Sequence, residues 1–429
     1  VIILGSIILI CALLLIGVSV PLAFGGVLIF ISVFGGHDVS GFMPTGHWKV
    51  SSLVLLAIPL FILAGAIMER GRIAAPLVSL AELMVGHIRG GLSAAAVVAS
   101  GIFGAISGSA AATLTCIGSI MMPHLRKANY PEGMAAALIV SASPLGLLIP
   151  PSSSQILYAW TTQQSVLKCF LATVVPGLIL IVMLCIVNFV MLRKVKDLKI
   201  GRVDGNFSVE FRARGLRAMP ALMMPLIILG GIYGGFMTPT EAAGVAVVYA
   251  IPIGFFVYKG LTKENFFPTL RYAGTTIGVV MMMVFMVLIV SQFLVFENIP
   301  AMAKDLIYSV SDNPIIILLM VNLVMILIGM LMDDISGLLL SAPLLLPIVE
   351  SVGMDPVHFA AVLGVNLGMA NITPPTAPLL YLGARVTETP VNKMIKPTLL
   401  MIAFAWLPTL ILTTFIPQIA LWLPTAIFG

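Results

Sequence analysis

Two proline pairs interrupt apolar stretches of this chain. Ile149-Pro150-Pro151-Ser152 runs on into Ser153 and Ser154, and Thr373-Pro374-Pro375-Thr376 follows 224 residues later. Proline removes a backbone donor and clashes with the preceding helical turn. In hydrocarbon, every backbone group freed in this way must be satisfied by protein or water. An unwound segment offers carbonyl oxygens that no helical neighbour takes. With serine and threonine hydroxyls they form the oxygen-rich surroundings preferred by a hard cation such as Na+, while the start of the following half-helix suits an anion. The alternative is a kink whose serines merely repair the backbone. Two such breaks, each with a polar turn to face, favour ligand binding.

The polar turns are Ser107-Gly108-Ser109 and Met332-Asp333-Asp334, and Asp333 again stands 224 residues after its counterpart, Ser109. An intramembrane carboxylate is functional by default because inserting it is costly. One of the two aspartates is therefore expected at a turn beside a cation, against the reading of an acid snorkelling to a periplasmic opening. Arg385, beyond the second break, is a candidate contact for an anionic substrate, against an ordinary arginine at a cytoplasmic helix end. Glu241 reads as a first-turn residue of a helix capped by Thr238 or Thr240. His87 and Arg89 read as caps at the cytoplasmic entrance to the first polar turn. A serine-protease reading of GAISGS fails on His124, which abuts Arg126 and Lys127 and so belongs at a surface; no HExxH motif is present. A channel fits opposed breaks less well than alternating access does. The four cysteines, Cys11, Cys116, Cys169 and Cys185, occur singly in apolar runs. They read as core residues, without a disulfide or metal role.

The elements that must position these residues lie in a bilayer. The chain is 60% apolar and 9% charged, against roughly 25% charged in soluble domains. No stretch has the composition of a soluble domain. The net charge of +5 suits cytoplasmic loops of an inner-membrane protein and does not argue for nucleic acid. The first segment has no charged leader region and is not read as a signal peptide. Its first 34 residues, about 51 Å as one helix, are expected to break at Gly17-Val-Ser-Val-Pro21 into two short helices.

The stretch 193–217 carries eight Lys/Arg against three acids, which places it in the cytoplasm and divides the chain. Across it Pro123 matches Pro347 at offset 224, and Pro131 and Leu138 match Pro356 and Leu363 at 225. Arg126 and Lys127 follow the first proline landmark, whereas Glu350 and Asp355 follow the second, so the halves run with opposite orientation. Inverted-topology repeats are the common plan of secondary transporters. Only 36 residues separate Arg89 from Arg126, whereas two full spans need about 40. Both ends are basic, so the segment is read as a re-entrant hairpin turning at Ser107–Ser109. Residues 314–350 repeat it from the other side.

The fold class is thus an all-α integral membrane protein with inverted-topology repeats, each holding a re-entrant helical hairpin and a Pro-Pro-broken helix. N-terminal scaffold helices occupy 1–88, the first repeat core 89–165 and further scaffold 166–313. The second repeat core follows at 314–387 and a C-terminal scaffold helix at 388–429. The stretches 35–50 and 297–313 are the longest periplasmic loops, and both Glu350 and the C-terminus are periplasmic.

The blocks IPLFILAGAIMERG (58–71), GHIRGGLSAAAVVASGIFGAISGSAAAT (86–113), GSIMMP, YPEGMAAAL, GLLIPPSS and YGGFMTPTEAA together resemble the large membrane subunit of TRAP transporters, the DctM-like family, over nearly the full length. The resemblance implies an elevator-type importer of small organic anions, carboxylate or sulfonate, driven by two or more Na+ ions. It also implies a four-helix small membrane subunit and a periplasmic substrate-binding protein as partners, in the bacterial inner membrane. One sodium site falls on Ser107, Gly108 and Ser109 with Ser143, Gly146, Ile149 and Pro150. The other falls on Met332, Asp333 and Asp334 with Gly368, Thr373 and Thr376. The candidate substrate contacts are Ser109, Ser152, Ser153, Asn371, Thr376 and Arg385. The alternative is a related secondary anion symporter that works without a binding protein.

Overall fold

A computed structural model describes the chain except residues 1, 36–40, 87, 194, 196–197 and 199–206. The described residues are helical throughout, without strands. Seven helices are long and apolar enough to cross a membrane, or eight if one bent pair counts as a span. The N-terminal segment forms Ile2–Leu15 and Val20–Gly35, parted at Gly17, whose φ of +89° requires glycine. Ala57–Arg70 and Ala74–Val85 follow.

Each half then builds the same series. In the first, Gly91–Ser107 and Ala110–Lys127 form a hairpin, followed by Glu132–Ala142, the short Leu145–Leu148 and Ser153–Thr161. The two arms of the broken helix are bent by 43° from a straight line. In the second, Pro314–Leu331 and Asp334–Ser351 form the hairpin, and Pro356–Ala370 and Pro378–Val386 the broken helix. The helix starts are written locally. Asn313 and Asp355 cap helices that open on proline, where the missing N–H costs nothing.

Between the halves run Val166–Leu192, Phe207–Tyr233, Pro239–Val257 and Lys263–Phe296. Thr238 caps the third of these in a reciprocal capping box with Glu241, while the Thr240 hydroxyl donates to the Leu53 carbonyl at 2.9 Å. Two segments expected as loops are partly helical. Phe42–Val50 lies within 35–50, and Ile299–Val310 fills most of 297–313, started by Pro300 in its first turn. The C-terminal segment is two elements, not one. Val391–Phe415, carrying a π-helical turn at Ile402–Trp406, gives way before Pro417 to Pro417–Phe428. All four cysteines are free, Cys116 and Cys169 buried and the other two half-buried.

The broken helices lie side by side and antiparallel. Tyr158, near the end of the first, donates through its hydroxyl to the Pro356 carbonyl at the start of the second, at 2.6 Å. At the opposite end, Arg126 donates to the Thr387 carbonyl at 2.7 Å and pairs with Glu132 at 3.3 Å. One turn in from the Tyr158 contact, Gln155 donates to the Ala360 carbonyl at 3.2 Å. The halves also interlock: Ser153–Thr161 packs on the second hairpin's Asp334–Ser351, and Pro378–Val386 packs on the first hairpin's Ala110–Lys127. Lipid supplies no hydrophobic drive between helices, so small residues that admit close approach take over. A Cβ on Gly104 would lie 2.7 Å from the Cα of Gly146, and one on Gly118 would lie 2.9 Å from Val386.

Candidate functional site

The first hairpin ends on a left-handed glycine. Gly108 has φ +60° and ψ 17°, and Ser109 turns extended to cap the returning helix, its hydroxyl accepting from the Ala112 N–H at 3.4 Å. The tip sits on the break. A Cβ at Gly108 would fall 2.7 Å from the Pro151 carbonyl oxygen, so no other residue fits there. Ser153 secures the contact, its hydroxyl donating to the Gly108 carbonyl at 3.2 Å.

The oxygens gathered here come from four segments. Ser107 Oγ lies 3.1 Å from Thr113 Oγ1, which donates to the Ser109 carbonyl at 2.8 Å. Gly146 is pressed against this group, a Cβ there standing 2.7 Å from the Ser109 carbonyl and 2.8 Å from Thr113 Oγ1. Ser143 spends its hydroxyl on the Val140 carbonyl at 2.8 Å, and Ser152 and Ser154 share a hydrogen bond of 2.9 Å. Ser107, Thr113, Ser143 and Ser152 through Ser154 are all buried. Ile149 is extended, its N–H taken by the Leu145 carbonyl. Both Pro-Pro bonds, 150–151 and 374–375, are cis.

The second tip uses a carboxylate where the first uses a hydroxyl. Met332 and Asp333 are extended, and Asp333 caps Asp334–Ser351 by accepting the Ile335 N–H on Oδ2 at 3.3 Å. Its Oδ1 is buried with no hydrogen-bond partner among the described residues. Asn371 joins break to tip, its amide nitrogen 3.2 Å from the carbonyls of Gly329 and Met332 in the orientation that satisfies both. Thr376 donates to the Met330 carbonyl, and Thr373 to the Met369 carbonyl at 2.7 Å. Ala377, left-handed at φ +30°, precedes the second arm, Pro378–Val386.

Thus Ser107, Gly108, Ser109, Gly146, Pro151 and Ser153 gather at one tip, Pro150 standing one residue before the contact, and Met332, Asp333, Asp334, Asn371 and Thr376 at the other. Gly368 instead abuts Trp406 and Pro144, with Cβ approaches of 2.9 and 3.1 Å. Arg385 is exposed in the last turn of its helix, two turns beyond the break. Arg89 donates to the Val195 carbonyl; His87 lies outside the described residues. His124 Nδ1 meets Glu82 at 3.2 Å, on the surface.

Two contributors were not singled out from the sequence. Thr113 stands four residues after Ser109, on the same helical face, and that spacing is its signal. Trp406 is fully buried and donates Nε1 to the Ser141 carbonyl at 3.1 Å, joining the first break's helix to Gly368 of the second. A lone tryptophan in an apolar span carries no such signal.

The donor sets are hard and all-oxygen, with one uncompensated carboxylate oxygen. That chemistry fits a small hard cation and lacks the thiolate or imidazole of a transition-metal site.

Comparison with known proteins agrees with this architecture. A family profile described as "Tripartite ATP-independent periplasmic transporter, DctM component" matches residues 7–419. The chain is 37% identical over 372 residues to the C4-dicarboxylate TRAP transporter large permease protein DctM of Pseudomonas aeruginosa, covering 86% of each chain. It is 34% identical over 405 residues to the isethionate TRAP transporter permease protein DctMQ of Oleidesulfovibrio alaskensis, covering 94% of this chain and 63% of that longer one. Among solved structures, the YdaH transporter of Alcanivorax borkumensis superposes with a TM-score of 0.61 at 14% identity, over 89% of this chain and 87% of that one. That likeness is one of fold.

Proposed function

Because the chain belongs to the DctM component family of tripartite ATP-independent periplasmic transporters, we propose that it is the large permease of a Na+-driven importer of small organic anions. It is a multi-pass protein of the bacterial inner membrane and a transport component, not an enzyme. The importer works with a small four-helix membrane subunit and a periplasmic substrate-binding protein. Its cargo carries a carboxylate or sulfonate, the two head-group chemistries named for the dicarboxylate and isethionate relatives.

One observation carries the reading. Each hairpin tip is seated on a proline-broken helix of its own half, and the two broken helices lie antiparallel. Antiparallel broken helices, each facing its own hairpin, support the reading of inverted repeats, re-entrant hairpins and a midplane site. Ser107, Ser109 and Thr113 with the Gly108 and Ser109 carbonyls would hold one ion. Asp333, the Met332 carbonyl and Asn371 would hold the other. A bound Na+ supplies positive charge beside the anion and offsets the buried Asp333 carboxylate. The protein's own part is to hold the carbonyls open and to exclude lipid from them.

We further assign elevator movement, in which the interlocked hairpins and broken helices, 89–165 and 314–387, travel against the remaining helices. The residues at 1–88, 166–313 and 388–429 then form the scaffold. The deciding experiment is uptake into proteoliposomes of succinate and isethionate, with and without a Na+ gradient, small subunit and binding protein. Uptake that needs all of them is expected. Robust sodium-driven uptake by this chain alone would instead favour a binding-protein-independent symporter.

A further inference from the structure

A cleft of about 750 Å³ opens beyond the tips, between the end of Ser153–Thr161 and the scaffold. One wall carries Trp160, Thr161 and Gln163, and the other carries Trp48, Lys49, Ser51 and Ser52 with Ser291 and Gln292. Lys49 is the one charged side chain among the described lining residues, which include no carboxylate. Its ammonium is half-buried and donates to Gln292 Oε1 at 2.5 Å. An ammonium has three donors, so a neutral amide leaves both charge and donors unspent. Trp160 Nε1 donates to Ser52 Oγ at 3.1 Å, bringing the two walls together. Hydroxyls, an amide, two indoles and one uncompensated cation form a receptor for a compact anion with a short carbon body. Partial burial reduces the screening that would weaken such a charge on an open surface.

We propose that this cleft is a second, low-affinity anion site, in which Lys49 receives the carboxylate or sulfonate of the cargo before it reaches the paired tips. The proposal rests on the importer reading above for the identity of the cargo, but binding can be measured without transport. The full chain, purified in detergent at constant ionic strength, would be titrated with succinate, isethionate and the neutral erythritol, following tryptophan fluorescence. Saturable quenching by both anions and none by erythritol is expected. Trp48→Phe with Trp160→Phe should abolish the signal. Lys49→Gln should weaken apparent affinity at least tenfold, Lys49→Arg should restore it, and Gln292→Ala should keep it.

If Lys49 only braces Gln292, Lys49→Gln and Gln292→Ala will lower the melting temperature together and leave the titration unchanged, which overturns the proposal. Quenching that survives loss of both indoles, or that erythritol reproduces, overturns it as well. The two readings fail separately. Absence of anion uptake by the complete three-part assembly sinks the importer, whereas normal uptake with an unaltered Lys49→Gln titration sinks only the cleft.

Discussion

At the scale of single residues, the two tips solve one problem with different atoms. Ser107 and Thr113 share their hydroxyls with each other and with the Ser109 carbonyl, so the first tip is satisfied as it stands. The second leaves Asp333 Oδ1 buried without a partner among the described residues. An unsatisfied buried acceptor costs about 1–3 kcal/mol, more when charged, and a bound cation would remove that cost. Ser107→Ala and Asp333→Ala are each expected to raise the Na+ concentration for half-maximal uptake about tenfold, equivalent to about 1.4 kcal/mol per ion. Expression and melting temperature should stay near wild type. Uptake with an unchanged Na+ requirement in both variants would falsify the ion assignment. Asp333 was legible in the sequence because a carboxylate inside an apolar run is conspicuous. Thr113 was not, since a threonine following three alanines looks like ordinary helix filling and gains meaning only when Gly146 is found against it.

At the scale of elements, proline and glycine wrote most of what could be read. Gly17, the Ser107–Ser109 turn and both double prolines mark real breaks, and the 224-residue offset carries Ser107 onto Leu331, each the last residue of a hairpin's first limb. The helices within 35–50 and 297–313 were missed because both are short, and one begins at a proline that reads equally as loop. The interlock was also hidden. Nothing in a linear pattern says that the half-helix after one break packs on the hairpin of the other half. Trp406 is part of that joint, touching Ser141 of one half and Gly368 of the other. Trp406→Ala should therefore cost about 3–5 kcal/mol, and Trp406→Phe about 1 kcal/mol through the lost hydrogen bond. Thermal melting in detergent, with the surface residue Trp422 changed to Phe as a control expected to be neutral, would test the ranking. Equal melting temperatures for all three variants would remove Trp406 from the joint.

At the scale of the whole molecule, orientation and motion are separate questions with separate tests. The charge pattern and span count predict 193–217 inside and Glu350 and the C-terminus outside. Cysteines at 205, 350 and 427 in a cysteine-free background should therefore divide between reagents confined to either side; periplasmic labelling of 205 would overturn the inverted arrangement. Motion is addressed by contacts that cross between the proposed moving and fixed parts. Trp160 bonds Ser52 across such a boundary, whereas Arg126 and Glu132, 3.3 Å apart, join the first hairpin to its broken helix within the moving part. Elevator travel must break the first contact and can leave the second intact. A short bifunctional thiol reagent linking cysteines at 52 and 160 is therefore expected to stop uptake almost completely, with reduction of a cleavable linker restoring it. The same reagent linking 126 and 132 should leave at least half the activity, because those positions move together. Arrest by both linkages would mean that the hairpins and broken helices deform internally, and arrest by neither would mean that cargo passes without this boundary shifting.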